Sequence, residues 1–263
     1  MKPVMAFRGV VAFFVLALMV LPLLPALGCG GSHTTTQEER LENEEVPAQE
    51  EKEVSSNKVT GGGKTTVHMC GRSVLAGWFE HWGWDYDPQN PVEIDGHTLI
   101  YHEMESPPEI TDTAVAVARA MGAQGGGIMF FKLCFADFTG GDEQSARENL
   151  AANQEIIREV TKVAVNQQGL TLILGNALPM VKQYTDDWLV WNHRRYNGFL
   201  EDLAAAYKGR VLVLDLYGAL ASPEGWLRPE YAADTEDSHL NGNAYAALDA
   251  VLRQLLVALP PAP

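Results

Sequence analysis

The sequence predicts an α/β domain in which helices cover both faces of an open, mostly parallel β-sheet. From Thr65 onward, short β-branched or apolar runs alternate with longer stretches of helical period, which is the pattern of βαβ units. These runs span about 200 residues, enough for one domain with a full hydrophobic core. Ligands of such sheets bind at the carboxyl ends of the strands, so chemistry is expected in the loops that lead into helices.

The predicted elements follow a regular order along the chain. Strands are expected at Thr65 to Cys70, in the region Pro91 to His102, at Ile128 to Cys134, at Leu170 to Leu174 and at Val211 to Leu216. Helices are expected at Ser73 to Trp82, Thr111 to Met121, Glu143 to Gln167, Thr185 to Tyr207 and Gly242 to Leu259. Thr111 or Thr113 is expected to cap the second helix and Thr185 the fourth, because threonine hydroxyls accept from free helical N–H groups.

The first residues predict export and attachment to a membrane. Lys2 and Arg8 precede an apolar run from Val10 to Leu27, which is the layout of a secretory signal. Ala26-Leu27-Gly28-Cys29 resembles the lipobox of bacterial lipoproteins, and the resemblance implies that residues 1–28 are removed and that Cys29 carries lipid. Alternatively, the run stays in place as a membrane anchor, since it approaches the roughly 20 apolar residues that span a bilayer. Both interpretations hold the domain outside the cytoplasm.

Residues 29–64 are predicted to form an acidic, disordered tether to a domain at residues 65–259. The segment is rich in Ser, Thr, Gln and Glu and has almost no large apolar residue, so it cannot bury enough surface to fold. The net charge of the chain is -15. That charge argues against a nucleic-acid partner, because binding phosphates requires clustered Lys and Arg.

Two loops at the expected carboxyl edge carry residues suited to nucleophilic catalysis. Ser73 follows the first strand, where the free N–H groups and positive dipole of a helix start favour the anion formed when a carbonyl is attacked. His239 precedes the last helix, and imidazole is a base that can activate a weakly nucleophilic serine. Taken alone, Ser73 also fits a helix N-cap and His239 a loop histidine, which are the commoner roles.

The motifs around these residues resemble those of a known family. Gly71-x-Ser73-x-x-x-Gly77 and an acidic run ending in His239-Leu240-Asn241 are similar to the first and last motif blocks of SGNH/GDSL hydrolases, and the similarity extends over residues 67–259. The resemblance implies a flavodoxin-like three-layer sandwich with a mostly parallel five-stranded sheet. It also implies hydrolysis of esters of small molecules, lipids or glycans without a cofactor.

The resemblance also assigns an acid to orient the imidazole. The family's acid lies three residues before the histidine, and here that position is Glu236, with Asp234 and Asp237 as neighbouring alternatives. Arg72 departs from the family pattern, since many members have Asp at that position.

Oxyanion donors are harder to assign from the same resemblance. In the family the oxyanion is held by the serine N–H, a glycine N–H and an asparagine side chain. Gly96 is the candidate glycine. No asparagine follows the strand at residues 128–134, so Asn176 is the candidate to replace it.

The remaining cysteines and histidines suggest no cofactor. Cys70 and Cys134 are expected to lie close together at the ends of neighbouring strands, and in an exported protein such a pair suggests a disulfide. His97, His102 and Glu103 lack further ligands at metal-binding spacing, so no metal site is expected.

Three functions remain open at this point. The first is an ester or O-acetyl hydrolase that forms an acyl-enzyme at Ser73. The second is acyl transfer to a glycan hydroxyl, which needs the same residues. The third is a binding or scaffold lipoprotein that keeps the fold without catalysis.

Overall fold

The computed structural model describes residues 65–87 and 90–259, which form an α/β fold built on one large sheet. Its strands are β1 (Thr65–Gly71), β2 (Val92–Ile94), β3 (His97–Glu103), β4 (Ile128–Lys132), β5 (Thr171–Gly175) and β6 (Val211–Leu214). They pair in the order β2-β3-β1-β4-β5-β6, with β2 antiparallel at one edge and all other neighbours parallel. The predicted fold class is therefore confirmed, with one strand more than expected.

The helices follow the strands in alternation, as the sequence pattern predicts. They are α1 (Ser73–His81), α2 (Ile110–Ala123), α3 (Glu143–Thr161), α4 (Asp187–Ala206), a short α5 (Leu216–Leu220) and α6 (Gly242–Ala258). A π-helical turn at Lys162–Gln167 continues α3. Between β6 and α6 lies a separate hairpin of β7 (Ala232–Asp234) and β8 (Asp237–Leu240), which the apolar periodicity does not predict.

The sheet separates two hydrophobic layers. Side chains alternate between the faces of a strand, so Met69 of β1 packs with α1 and α6, while its neighbour Cys70 packs with α2, α3 and α4. The helices α1 and α6 contact each other on the face of the sheet that Met69 occupies. A Cβ at Gly77 of α1 would collide with the Tyr245 hydroxyl of α6, so glycine permits this close approach.

The region Pro91 to His102, where the sequence predicts a strand, forms a β-hairpin. Asp95 and Gly96 join β2 to β3, and both have positive φ, at 49° and 84°. Two positive φ values are the signature of the mirror-image turn that matches the twist of paired strands. The edge strand β2 thus covers one side of β3.

The predicted threonine caps are wrong. Helix α2 begins at Ile110 after Glu109, without a side-chain cap, and the Thr113 hydroxyl donates to the Ile110 carbonyl instead. Helix α4 is capped by Asp186, whose carboxylate accepts from the Leu189 N–H at 2.8 Å. The Thr185 hydroxyl donates to the Met180 carbonyl, which leaves the cap to the following aspartate.

Cys70 and Cys134 are both buried and free, so the suggested disulfide does not form. They belong to core layers on opposite faces of the sheet. Burial raises the pKa of the Cys70 thiol, which leaves it protonated and unreactive.

The signal segment at residues 1–28, Cys29 and the tether lie outside the described residues. Among the helices that the structure describes, none combines the length and the apolar character needed to cross a bilayer.

Candidate active site

Ser73 opens helix α1 at the carboxyl edge of the sheet. The turn from β1 into α1 is tight, because a Cβ at Gly71 would lie 2.9 Å from Leu75 Cδ2. Arg72 occupies the N-cap position and makes no side-chain cap, so its side chain is available for contacts elsewhere. The Ser73 side chain is exposed, beside the N–H groups of the first helical turn.

His239 reaches Ser73 from the other end of the folded region. The Nε2 atom of His239 lies 3.1 Å from the Ser73 Oγ, across 166 positions of sequence. The Phe135 ring meets the imidazole edge to face, with 5.2 Å between ring centroids. The sequence-based expectation that these two residues lie within hydrogen-bonding reach agrees with this geometry.

The carboxylate bonded to His239 is that of Asp237. Its Oδ1 lies 2.6 Å from His239 Nδ1 and also accepts from the His239 backbone N–H at 2.9 Å. Both side chains lie on one face of β8, because residues two apart in a strand share a face. These two hydrogen bonds lower the pKa of Asp237, which keeps the carboxylate ionised.

Glu236, the expected acid, lies elsewhere. It belongs to the turn between β7 and β8, where its N–H donates to the Asp234 carboxylate at 3.0 Å. The spacing of three residues that the resemblance implied assumes another loop shape. Here the hairpin brings the residue two positions before the histidine to the imidazole.

An ionised Asp237 determines which nitrogen of His239 carries the proton. A carboxylate accepts hydrogen bonds only, so Nδ1 must donate to it. In neutral imidazole the other nitrogen, Nε2, then presents a lone pair toward the Ser73 hydroxyl. The three side chains thus form a chain of hydrogen bonds that can remove a proton from the serine.

Gly96 cannot serve as an oxyanion donor. It lies in the turn before β3, and His97 pairs with Thr65 at the start of β1. Ser73 follows the opposite end of β1, so the full length of the strand, roughly 20 Å, separates Gly96 from the serine. The expectation for Gly96 is therefore wrong, because its Asp-Gly sequence makes a hairpin turn.

Asn176 follows β5, and its amide is used to join β5 to the segment after β6. Its Nδ2 donates to the Asp215 carboxylate at 2.7 Å, and its Oδ1 accepts from the Tyr217 N–H at 2.8 Å. The residue is buried, and β4 lies between its strand and β1. Asn176 is thus bonded within this junction, and its contacts do not support the expected oxyanion role.

The loop after β4 carries a partly buried ion pair that the sequence did not predict. The Arg72 guanidinium donates through Nη2 to Asp137 Oδ1 at 2.6 Å, and Asp137 Oδ2 accepts from the Cys134 N–H at 2.6 Å. Burial raises the pKa of the Asp137 carboxyl, against the opposing effects of the Cys134 N–H and the Arg72 charge. The Asp137 carbonyl accepts from Asn149 and Asn153 of α3, which hold the loop in place.

A mainly apolar cavity of about 450 Å³ adjoins the hairpin that carries His239. Its lining residues come from the loop after β5, the segment before β7 and the hairpin itself: Val181, Lys182, Gln183, Leu227, Pro229, Ala232 and Thr235. The Val181 N–H donates to the Ser238 hydroxyl at 3.1 Å, so the cavity wall is bonded to the strand β8. The cavity is within the usual size of small-molecule sites.

Trp78 lies on the core side of α1, and Trp82 follows the last residue of that helix. Their indole N–H groups both donate to the Asp249 carboxylate of α6, at 2.7 and 2.8 Å. These contacts fix α1 beside α6, and the first residues of the two helices then lie at the edge where Ser73 meets His239.

Comparison with protein-family models and with curated proteins gives no match for this chain. Among solved structures, the fold is similar to that of a GDSL-like lipase from Bacteroides thetaiotaomicron VPI-5482. The two are 15% identical, the match covers 74% of this chain and 88% of that one, and the TM-score is 0.52. A lipase/acylhydrolase from Enterococcus faecalis is 16% identical over 76% of this chain and 99% of its own, with a TM-score of 0.46. The similarity to the Bacteroides protein shows that the chain has the fold of a GDSL-like lipase.

Proposed function

We propose that this protein is a serine hydrolase of the SGNH/GDSL type that cleaves an ester or O-acetyl group. The observation that carries the proposal is the hydrogen-bonded series from Ser73 through His239 to Asp237. A nucleophile, a base and an orienting carboxylate in this order are the parts that acyl transfer through a covalent intermediate requires.

The reaction follows from the positions of these groups. As Ser73 Oγ bonds to the carbonyl carbon, its proton passes to His239 Nε2, and the π pair of the carbonyl moves onto its oxygen. Collapse of this tetrahedral anion breaks the ester C–O bond, and the leaving alcohol takes the proton from His239. Water then repeats both steps on the acyl-enzyme, which releases the acid and restores Ser73. Asp237 stabilises the imidazolium that forms in each step.

The cavity beside the hairpin is the candidate site for the acyl group. Its lining is supplied mainly by apolar side chains such as Val181, Leu227 and Pro229, and it adjoins the strand that bears the base. An apolar acyl chain would lose unfavourable contact with water there. The substrate we propose is therefore an ester with a short or medium acyl chain on a small-molecule, lipid or glycan alcohol.

The test is covalent labelling with a fluorophosphonate, a reagent that phosphonylates activated serines. We expect labelling of the wild-type protein and its loss in Ser73→Ala, with hydrolysis of p-nitrophenyl esters falling in parallel by at least about 10³-fold. Ser145→Ala is the matched control and should still be labelled, because Ser145 lies in helix α3 and bonds to Asp142. A folded wild-type protein that is neither labelled nor active would favour a binding or scaffold role.

We also propose that the protein is an exported lipoprotein, with the lipid on Cys29. The support is the signal-like sequence that ends at this cysteine. Expressed in a bacterium, the protein should partition with membranes, and Cys29→Ala should release it from them. Retention of the variant in the membrane would point to an uncleaved apolar anchor instead.

A further inference from the structure

Arg72 joins the two loops that flank Ser73. Its Nη1 donates to the Ser106 hydroxyl in the loop after β3, and its Nη2 donates to Asp137 after β4. In the sheet, β3 and β4 are the neighbours of β1 on either side. The guanidinium thus spans the carboxyl end of β1, directly beside the proposed nucleophile.

One nitrogen of this guanidinium, Nε, makes no hydrogen bond. The Nε–H of Arg72 is buried and makes no hydrogen bond, while both terminal nitrogens are bonded. A buried donor without an acceptor is costly and uncommon in folded proteins. Such a group one residue from a nucleophile suggests that an acceptor occupies the position only during the reaction.

Among the described residues, neither the expected oxyanion donors nor the side chains of residues 135–137 offer a free donor beside Ser73. Gly96 lies at the far end of the strand, and the Asn176 amide is bonded at the end of β5. In the loop after β4, the side chains Phe135 and Ala136 cannot donate, and Asp137 accepts. Helix N–H groups at Ser73 can supply part of the oxyanion site, and a side-chain donor adds to the stabilisation that they give.

We propose that the Arg72 guanidinium, through its unpaired Nε–H, stabilises the oxyanion that forms when Ser73 attacks an ester. This inference rests on the proposed function. In the tetrahedral intermediate the former carbonyl oxygen holds the displaced electron pair and a full negative charge, which the guanidinium contacts and the first N–H groups of α1 share. Arginine stays charged at all working pH values, so no proton moves to or from it.

The inference makes Arg72 a catalytic residue, and the ion pair with Asp137 its support. These two roles respond differently to substitution. Removing the guanidinium removes the donor, whereas Asp137→Asn weakens the support and leaves the donor in place. If the ion pair only held the loops in place, substitution of Arg72 and substitution of Asp137 would lower the activity equally.

The experiment compares Arg72→Gln, Arg72→Lys and Asp137→Asn by ester hydrolysis and by the rate of fluorophosphonate labelling, with folding checked by circular dichroism and thermal unfolding. For R72Q we expect kcat and the labelling rate to fall about 10²- to 10³-fold, with KM changed by less than about threefold. R72K keeps the charge but loses the Nε–H, so it should recover only part of this loss. D137N should lose less than about tenfold.

Arg253→Gln is the matched control, because Arg253 pairs with Asp95 on an exposed surface away from Ser73. Equal losses in R72Q and D137N, or an R72Q enzyme as fast as the wild type, would overturn the inference. If R72Q does not fold, R72K decides: a labelling rate no lower than that of D137N would also overturn it. An unlabelled wild-type protein would instead refute the proposed function, so the two failures are distinguishable.

Discussion

At the residue scale, the position of Asp237 follows from the geometry of one short strand. Alternate side chains of a strand share a face, so the residue two before His239 meets the imidazole, and Glu236 lies in the turn. Both members of the pair remain partly exposed, so their contact orients the base more than it stabilises the fold.

We expect Asp237→Asn to lower kcat by on the order of 10² to 10⁴ with little change in KM. The asparagine amide can donate to Nδ1 and so favour the tautomer in which Nε2 keeps its proton. Steady-state hydrolysis of a p-nitrophenyl ester measures the effect. Glu236→Gln is the matched control, and we expect its rate to stay within about twofold of the wild type. A larger loss in E236Q than in D237N would mean that the hairpin is shaped differently when substrate is bound.

At the element scale, the sequence predicted well those elements that are buried on both faces. The strands β4 and β5 are continuous apolar runs, and such runs have few alternatives in an α/β chain. The long helices have a strong 3.6-residue period, so their predicted limits lie within a few residues of those observed. Burial, the strongest signal in a sequence, determines these parts.

The elements missed by prediction are short, polar or near the surface. The hairpin of β7 and β8 has seven residues in its strands, several of them exposed, and no apolar period distinguishes it from a loop. Asp95-Gly96 between two β-branched or apolar runs is a hairpin signal, and it indicates a turn at Gly96 and not an active-site position. The resemblance to the family instead suggested Gly96 as an oxyanion donor.

The residues of the candidate site likewise fall into those that the sequence predicts and those that it does not. Ser73 and His239 could be predicted because Ser73 begins helix α1 directly after a parallel strand and His239 lies shortly before helix α6. The contact between Arg72 and Asp137 joins positions 65 apart in loops of irregular shape, and no spacing rule links them. The available signal was an unexpected cation beside the serine together with an acid after β4, the strand that neighbours β1 in the sheet.

At the scale of the whole molecule, the two faces of the sheet differ in the polar groups that they bury. On one face, the indole contacts with Asp249 join α1, which begins at Ser73, to α6, which follows the strand of His239. On the opposite face, His193 of α4 is fully buried in T-shaped contact with the rings of Phe138 and Tyr217, and neither of its ring nitrogens has a partner. Burial lowers the pKa of His193 to about 3.

This histidine makes the stability of the molecule depend on pH. An unfolded histidine titrates near 6.5, so between about pH 6.5 and pH 3 the unfolded chain binds a proton that the folded chain does not. The free energy of unfolding therefore falls as the pH is lowered through this window, by up to about 1.4 kcal/mol per pH unit from this group.

His193→Phe should remove this part of the acid dependence, because the benzene ring cannot be protonated. Between pH 7.5 and pH 4.5 we expect the variant to lose about 2 to 3 kcal/mol less than the wild type, measured by urea unfolding at both pH values. Tyr196→Phe is the matched control: its buried hydroxyl also has no partner, and burial raises its pKa further above this range. Parallel pH profiles for wild type and H193F would mean that His193 can be protonated without leaving the fold.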